Sequence, residues 1–349
     1  MARIEFPESV KLKLAQRVGY SCSFPGCPVQ TIGPSAERSD KVSSSGTACH
    51  IIPASAGSKA MRYDPDYPKD KIGTYENGIW CCATHGRLID TDETTYTAEL
   101  LRYWRQVAEY KAHLQQEHGQ NIQLKDFYRG SHPFPKDEYL FNNLGHENEI
   151  IGDAILHNCI HELWGDDLGH AIRDLIIELV RNALTHGGAS ECWLNLSKQS
   201  ISLTDNGSRF DIADMGQAQR QSGGFTALEH MKNQWSNELI IGYHWLDSRN
   251  HTLLSRIYVP SDVSNTTQCF VEPTFWPVKF KVTSVGSCNP IYIIGREYIS
   301  YSDISHMRVE MTSEQNRKRN FVYVARGISD GVIKEIESEI PNCAVMRLK

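Results

Sequence analysis

The sequence predicts an α+β protein made of more than one domain. A chain of 349 residues can form two or three domains, each with its own hydrophobic core. Cysteine and histidine residues cluster at metal-binding spacing in the first quarter of the chain, and the remainder alternates between helical and strand-like patterns. We therefore predict a metal-stabilised N-terminal domain (residues 1–119), a linker (120–148), a second domain (149–262) and a C-terminal α/β region (263–349).

The composition is typical of a soluble globular protein, with 40% apolar and 22% charged residues. No apolar run approaches the roughly 18 residues of a membrane span, and the N-terminus MARIEFPESVKLKL lacks a signal-peptide core. Five of the ten cysteines lie in the first 82 residues and the others are scattered singly, which is typical of a reducing compartment. We therefore expect a cytoplasmic protein with no membrane partner. Its formal charge of −6 restricts any nucleic-acid contact to a local basic patch.

The N-terminal pattern predicts a helix over residues 7–18 that leads into a zinc site. Cys22 and Cys27 follow this helix, and an apolar run enters a second pair, Cys82 and His85. Three thiolates and one imidazole complete a tetrahedral Zn²⁺ site of the structural kind. Cys81 is an alternative ligand, but its position relative to the preceding segment favours Cys82.

The segments around these ligands follow a known order. Cys22-x4-Cys27, then His50-Ile51, then Asn77-Gly78-Ile79-Trp80-x-Cys82-x-x-His85 and Leu88-Ile89-Asp90 together resemble the HNH (ββα-metal) endonuclease family over roughly residues 15–115. The match includes Arg62-Tyr63-Asp64-Pro65 and a predicted helix over residues 97–117. The resemblance implies that His50 activates water, that Asn77 holds the loop presenting it, and that Mg²⁺ or Mn²⁺ stabilises the leaving oxygen. A buried structural histidine is the alternative interpretation of His50.

Two positions depart from the HNH pattern. The residue before the base, often Asp or His, is Cys49, and the third motif position, often His or Asn, is Gly86. Both positions commonly supply ligands for the catalytic metal. We therefore rank Asp90 first as the replacement ligand, followed by Asp64 and then Cys49, because a soft thiolate suits Mg²⁺ poorly.

The second domain is predicted to begin with helical periodicity over residues 171–184 and a glycine stop at 187–188. Strands over 192–196 and 200–204 lead into Asp205-Asn206-Gly207. A polar stretch, 216–224, precedes a short helix over 225–232 and two further strands over 238–243 and 253–259.

The stretch Glu178-Leu179-Val180-x-Asn182-Ala183-x-x-His186-Gly187 resembles the N-box of the GHKL (Bergerat) ATP-binding fold, over roughly residues 150–260. Asp205-Asn206-Gly207 resembles its G1 box, and residues 222–228 resemble its G2 box. The resemblance implies that Asn182 coordinates Mg²⁺, that Glu178 orients or deprotonates a water and that Asp205 accepts a hydrogen bond from the adenine amino group. It further implies that Gly207 shapes the G1 turn and that Gly223 and Gly224 let backbone N–H groups approach phosphate. Arg209 replaces the second G1 glycine, and an ordinary amphipathic helix is the alternative interpretation of the Glu178 and Asn182 pair.

The C-terminal region is predicted as an α/β alternation, either a small third domain or an extension of the preceding sheet. Strand-like segments lie at 278–282, 290–294, 321–325 and 343–348, and helix-like segments lie at 302–314 and 329–340. The cluster Arg317-Lys318-Arg319 is predicted to be a solvated loop, and contact with phosphate or a partner is the alternative interpretation.

Together the two resemblances imply a nucleotide-regulated HNH endonuclease acting on nucleic acid, DNA rather than RNA. By analogy, such a pairing suggests a prokaryotic anti-phage or restriction-like effector. The expected cofactors are structural Zn²⁺, Mg²⁺ or Mn²⁺, and ATP; the expected partners are nucleic acid, a second copy of the chain and a protein that supplies the trigger. One alternative is a nucleotide-gated switch whose zinc domain binds nucleic acid without cutting it. Another is a histidine-kinase-like protein kinase, although no helical phospho-acceptor pattern adjoins the domain.

Overall fold

A computed structural model describes residues 4–55, 62–210, 223–274, 282–285 and 288–348. It is a mixed α+β structure with several sheets, which confirms the predicted class. The chain divides into two compact units. The first unit contains Met1–Pro135 and Gly152–His170, and the second unit contains Lys136–Ile151 and Ala171–Lys349.

The first unit is built around a β-hairpin followed by a helix. Strand β3 (Gly46–His50) pairs antiparallel with β4 (Gly78–Cys82), and helix α2 (Ala83–Thr91) begins directly after β4. The remaining elements are α1 (Glu8–Arg17), the ribbon of β1 (Ile32–Pro34) and β2 (Val42–Ser44), α3 (Ala98–His118), α4 (Leu124–Phe127) and α6 (Ile160–Trp164). Residues 46–91 therefore contain two antiparallel strands followed by a helix.

Apolar side chains hold the hairpin between the two longer helices of the first unit. Leu14, Ala15 and Val18 of α1 form a buried cluster with Trp80 of β4. Thr97 is the N-cap of helix α3, and its side chain accepts a hydrogen bond from the Leu100 N–H. These contacts fix the position of β4, and hence of the residues at both of its ends.

The second unit contains a five-stranded sheet in the order β5-β6-β7-β9-β8. Its strands are β5 (Phe134–Phe141), β6 (Cys192–Lys198), β7 (Ser200–Asp205), β8 (Leu239–Leu246) and β9 (Arg249–Arg256). Its helices are α8 (Gly223–Trp235) and α9 (Asp262–Thr266), together with the parts of α5 (Glu147–His157) and α7 (Asp166–Thr185) that lie outside Gly152–His170. Residues 120–148, predicted as a linker, thus contain helix α4 and strand β5.

A four-stranded parallel sheet forms the C-terminal region. It consists of β10 (Phe270–Val271), β11 (Ile291–Ile294), β12 (Phe321–Arg326) and β13 (Cys343–Leu348), connected by α10 (Tyr301–Met311) and α11 (Asp330–Glu339). Val324 and Met346 of this sheet share a buried cluster with Ile240 of β8. The sheet therefore extends the hydrophobic core of the second unit. Most of the predicted strand at 278–282 lies outside the described residues.

One disulfide joins Cys269 to Cys288. The prediction that the later cysteines stand singly is therefore wrong for this pair. Their separation of 19 residues gave no local sign that they would pair. No helix in the described parts of the chain is both long and apolar enough to cross a membrane.

Candidate functional site

Four predicted zinc ligands lie together in the first unit. The ligand atoms of Cys22, Cys27, Cys82 and His85 are all within 4.8 Å of one another. His85 Nδ1 lies 3.5 Å from Cys22 Sγ and 3.3 Å from Cys82 Sγ. Tetrahedral zinc, with Zn–S of about 2.3 Å and Zn–N of about 2.0 Å, places such atoms roughly 3.5 Å apart. The cluster could therefore hold a metal ion.

Neighbouring residues fix the orientation of these ligands. The Phe24 ring stacks on His85, with ring centroids 3.9 Å apart and an interplanar angle of 4°. The N–H of Gly26, which lies next to ligand Cys27, donates to the carboxylate of Glu162 in α6. Packing and a hydrogen bond thus support the four potential ligands from outside, as outer residues commonly do.

The pKa values of two thiols in the cluster are shifted in opposite directions. A hydrogen bond from Cys81 lowers the pKa of Cys22 to about 4. Burial, reinforced by the nearby Cys22, raises the pKa of Cys27 to about 12. A bound cation would stabilise the thiolates against burial and against repulsion between their charges. Holding several thiolates together without a cation costs free energy, so this set of donors is suited to a metal.

His50 ends β3 and faces a cavity. Its ring stacks on that of Phe6, with centroids 4.0 Å apart and an interplanar angle of 15°. The amide of Asn77, which is buried, clamps the chain that follows His50: Oδ1 accepts from Ile52 N at 2.8 Å, and Nδ2 donates to Ile52 O at 2.9 Å and Ile72 O at 3.0 Å. Asn77 thus contacts the loop that it was predicted to hold.

The cavity beside His50 has a volume of about 400 Å³. Its polar lining combines the His50 imidazole with two carboxylates and two cationic side chains. The complete lining consists of Ile4, His50, Pro53, Ala54, Ser55, Arg62, Lys69, Ile72, Asp90 and Glu93. Asp90 is therefore placed beside His50, whereas Asp64 and Cys49, the other candidate ligands, do not line this cavity.

The structure explains why Gly86 lacks a side chain. A Cβ atom at position 86 would lie 2.4 Å from Thr47 Cγ2 and 2.9 Å from Cys49 Sγ. This face of α2 therefore packs directly on β3, and Cys49 is buried in that contact. Asp90 lies four residues further along α2, on the same face by helical geometry.

Arg62 organises the carboxylates of the cavity. Its Nη1 donates to the carbonyls of Ile89 at 2.9 Å and Tyr96 at 3.0 Å, its Nη2 lies 3.7 Å from Asp90 Oδ1, and its backbone N–H donates to Glu93 Oε2 at 3.0 Å. Burial lowers the pKa of Arg62, and the charges of Glu93 and Asp90 oppose that effect. The side chain is 3% exposed, whereas that of Asp90 is 51% exposed. Arg62 is thus a fixed cation and Asp90 an accessible acceptor.

In the second unit, the predicted N-box and G1 box meet at the C-terminal end of α7. Ser208 N donates to Gly187 O at 2.8 Å, and Asn206 Oδ1 accepts from Ser190 N at 2.9 Å and Glu191 N at 3.1 Å. A Cβ atom at position 207 would lie 2.8 Å from Gly187 O and 2.9 Å from Asp205 Oδ1. Only glycine fits at position 207 without displacing this turn.

The predicted G2 glycines begin helix α8 beside Glu178. A Cβ atom at position 223 would lie 2.8 Å from Glu178 Oε2, and Gly224 is buried in the first turn. Arg181 lies on the other side of Glu178, with Nη1 3.8 Å from Oε1, and its Nε donates to the buried Glu147 at 2.9 Å. Asn182 lies one helical turn after Glu178 and is half-buried. The two boxes therefore approach each other, while residues 211–222 lie outside the described residues.

The sequence did not single out Glu93, Lys69 and Asn250. Glu93 and Lys69 line the cavity with His50, and Asn250 contacts Asp205. Glu93 follows the matched Leu88-Ile89-Asp90 stretch by three residues, so a search for further carboxylates near that stretch would have found it. Asn250 has no such local signal, because it faces Asp205 only through the strand register.

Comparison with models of protein families and with the sequences of curated proteins found no match to this chain. Any functional assignment therefore depends on the residues and geometry described above.

Proposed function

We propose that the chain is a metal-dependent endonuclease of the HNH type, regulated by a nucleotide bound in its second unit. The observation that carries the proposal is the cavity that combines His50, Asp90 and Glu93 with the cations Arg62 and Lys69. An imidazole base, carboxylate oxygens and positive charge are the groups that phosphodiester hydrolysis requires.

Each group has a distinct role in this mechanism. His50, held by Phe6 stacking and by the Asn77 clamp behind it, accepts a proton from the attacking water. Asp90 and Glu93 supply hard oxygen donors that suit Mg²⁺ or Mn²⁺. Such an ion would supply charge stabilisation for the leaving oxygen. The Cys22, Cys27, Cys82 and His85 set is suited to structural Zn²⁺, which keeps β4 and α2 in place.

The proposed substrate is nucleic acid, with DNA favoured over RNA. Lys69 and Arg62 bring positive charge to the cavity of a chain whose overall charge is −6, so phosphate attraction there depends on these local cations. By analogy, a nuclease that needs a controlling signal suits an anti-phage or restriction-like effector in a prokaryotic cytoplasm.

ATP is the proposed regulator. The contact between Glu178 and the first turn of α8, and the contact between the G1 turn and the end of α7, support a site for the base, the phosphates and Mg²⁺. In this proposal Asn182 coordinates Mg²⁺, Asp205 and Gly207 receive the base, and Gly223 and Gly224 face phosphate. Nucleotide binding then shifts the population of cutting-competent molecules, either in a homodimer or together with a partner protein.

Plasmid nicking by the full chain with Mg²⁺ or Mn²⁺ tests the proposal. His50→Ala, Asp90→Asn and Glu93→Gln are expected to abolish nicking, whereas His113→Ala, at an exposed histidine, retains it. Asn182→Ala is expected to remove the effect of added ATP while leaving the cavity intact. Metal-dependent nicking that survives His50→Ala would refute the assignment of the base.

The alternative function is a nucleic-acid-binding switch that does not cut. Gly86 and Cys49 favour it, because two positions that commonly bind the catalytic metal supply no hard ligand here. Tight DNA binding by the wild type, with no cleavage under any metal or nucleotide condition, would support this alternative over the endonuclease.

A further inference from the structure

Asn250 is a buried polar residue directly opposite Asp205 in the pairing of β9 with β7. Its Nδ2 donates to Asp205 Oδ1 and to Ser208 O, both at 2.9 Å. Its Oδ1 accepts from the Phe210 N–H and from the Tyr243 hydroxyl, also at 2.9 Å. All four hydrogen-bonding positions of the amide are therefore occupied.

The two oxygens of Asp205 differ as a result. Oδ1 accepts from Asn250 Nδ2 and from Gly207 N, each at 2.9 Å. Oδ2 has no hydrogen-bond donor among the described residues. The Asn250 amide thus fixes the carboxylate rotamer and leaves one oxygen as an acceptor.

We propose that Asn250 is a positioning residue that makes the site select a base carrying an exocyclic amino group, as in adenine. This inference rests on the nucleotide binding proposed above. An ionised carboxylate oxygen only accepts hydrogen bonds, and Asn250 has no N–H left for a ring carbonyl. In a purine with an oxo group at this position, the carbonyl oxygen would face the Asp205 carboxylate oxygen. Both atoms are hydrogen-bond acceptors, so such a base would bind more weakly.

Asn250 also connects base recognition to the chain that leaves the G1 turn. The same amide that orients Asp205 holds the carbonyl of Ser208 and the N–H of Phe210. Movement of this chain would therefore disturb the Asp205 carboxylate, and a base bound there would stabilise the present path of residues 208–210.

The test compares ATP with purine riboside triphosphate, which has the same ring and phosphates but no amino group. Binding of each to the full chain is measured by calorimetry with Mg²⁺. The wild type is expected to bind ATP about 10- to 100-fold more tightly, the contribution of one hydrogen bond to a charged group. In Asn250→Leu and Asn250→Thr this ratio is expected to fall to about threefold or less, while affinity for purine riboside triphosphate changes little.

The ratio of the two affinities separates a positioning role of Asn250 from a general loss of structure. A lower folded fraction would weaken the apparent binding of both nucleotides equally and leave their ratio unchanged. Thr204→Val is the matched control: it removes the neighbouring cross-strand contact between Thr204 Oγ1 and His251 Nδ1, 3.0 Å, and is expected to keep the wild-type ratio. An unchanged ratio in both Asn250 variants overturns this inference and leaves the proposed function standing. Failure of the wild type to bind either nucleotide overturns nucleotide regulation as well.

Discussion

Replacing Gly86 by alanine tests how closely α2 packs on β3. The added Cβ would lie 2.4 Å from Thr47 Cγ2 and 2.9 Å from Cys49 Sγ. Carbon atoms pack best at about 3.5–4.0 Å, so the helix and strand must separate. We expect the variant to be less stable than the wild type although alanine is the better helix former.

The expected magnitude follows from two opposing effects. Alanine in place of glycine within a helix contributes about 1 kcal/mol of stability. Overpacking of a buried contact costs about 1–3 kcal/mol. Since both nearest atoms belong to a β-strand held by cross-strand pairing, relaxation is limited and the cost lies at the upper end. The net loss is therefore about 1–2 kcal/mol in the free energy of unfolding.

Urea unfolding with Zn²⁺ present measures this difference, and Gly152→Ala in α5 provides the matched control. A Cβ atom at position 152 meets nothing within 4 Å, so the same substitution there is expected to stabilise the protein by about 0.5–1 kcal/mol. The two alanine variants should therefore differ in sign.

A double-mutant cycle identifies the cause. Thr47→Ser removes the methyl group that the new Cβ meets first, so Gly86→Ala should cost less in that background than in the wild type. A Gly86→Ala protein as stable as the wild type, or one whose loss is unaffected by Thr47→Ser, would refute the packing argument.

Three further outcomes are expected. Metal analysis should find about one zinc per chain, lost in Cys82→Ser together with most of the stability of the first unit but retained in Cys343→Ser, at a lone buried cysteine. Burial raises the pKa of Glu162, so the folded state binds its proton more tightly than the unfolded state; its contribution to stability is present at low pH and falls as pH rises through the folded pKa. Glu162→Gln should therefore flatten the loss of unfolding free energy as the pH rises above the ordinary glutamate pKa, and an unchanged slope would exclude this group. Cys288→Ala should lower stability by about 3 kcal/mol without reductant, as expected for a closed loop of 19 residues, and have no such effect in dithiothreitol.

Features set by local spacing were predictable from the sequence. The short spacing within each of two ligand pairs indicated the metal cluster. Helical periodicity likewise predicted the part of α7 that carries Glu178 and Asn182. Each of these signals lies within short segments of the sequence.

Features set by distant contacts were not predictable. Arg62 reaches Glu93 across 31 positions and Asn250 reaches Asp205 across 45, and neither pairing leaves a local pattern. Strand β5 lies within residues predicted as a linker, and as an outer strand it tolerates Pro135, which lacks an N–H. The space around Gly86 depends on how closely α2 approaches β3, which only the packed structure defines.

The mixture of charges beside His50 distinguishes the two candidate functions of the first unit. A module that only holds a nucleic-acid backbone gains from cations, and Asp90 and Glu93 would repel the same phosphates. Arg62 balances part of this negative charge, but its Nη1 is committed to main-chain carbonyls and its side chain is buried, so it cannot follow a substrate. A divalent cation would resolve this conflict, because it would satisfy the carboxylates and attract phosphate at the same time. The proposed metal-dependent cleavage accounts for this mixture of charges better than passive binding does, and Asp90→Asn separates the two: it should improve DNA binding without metal by a non-cutting module, whereas it should abolish nicking by an endonuclease.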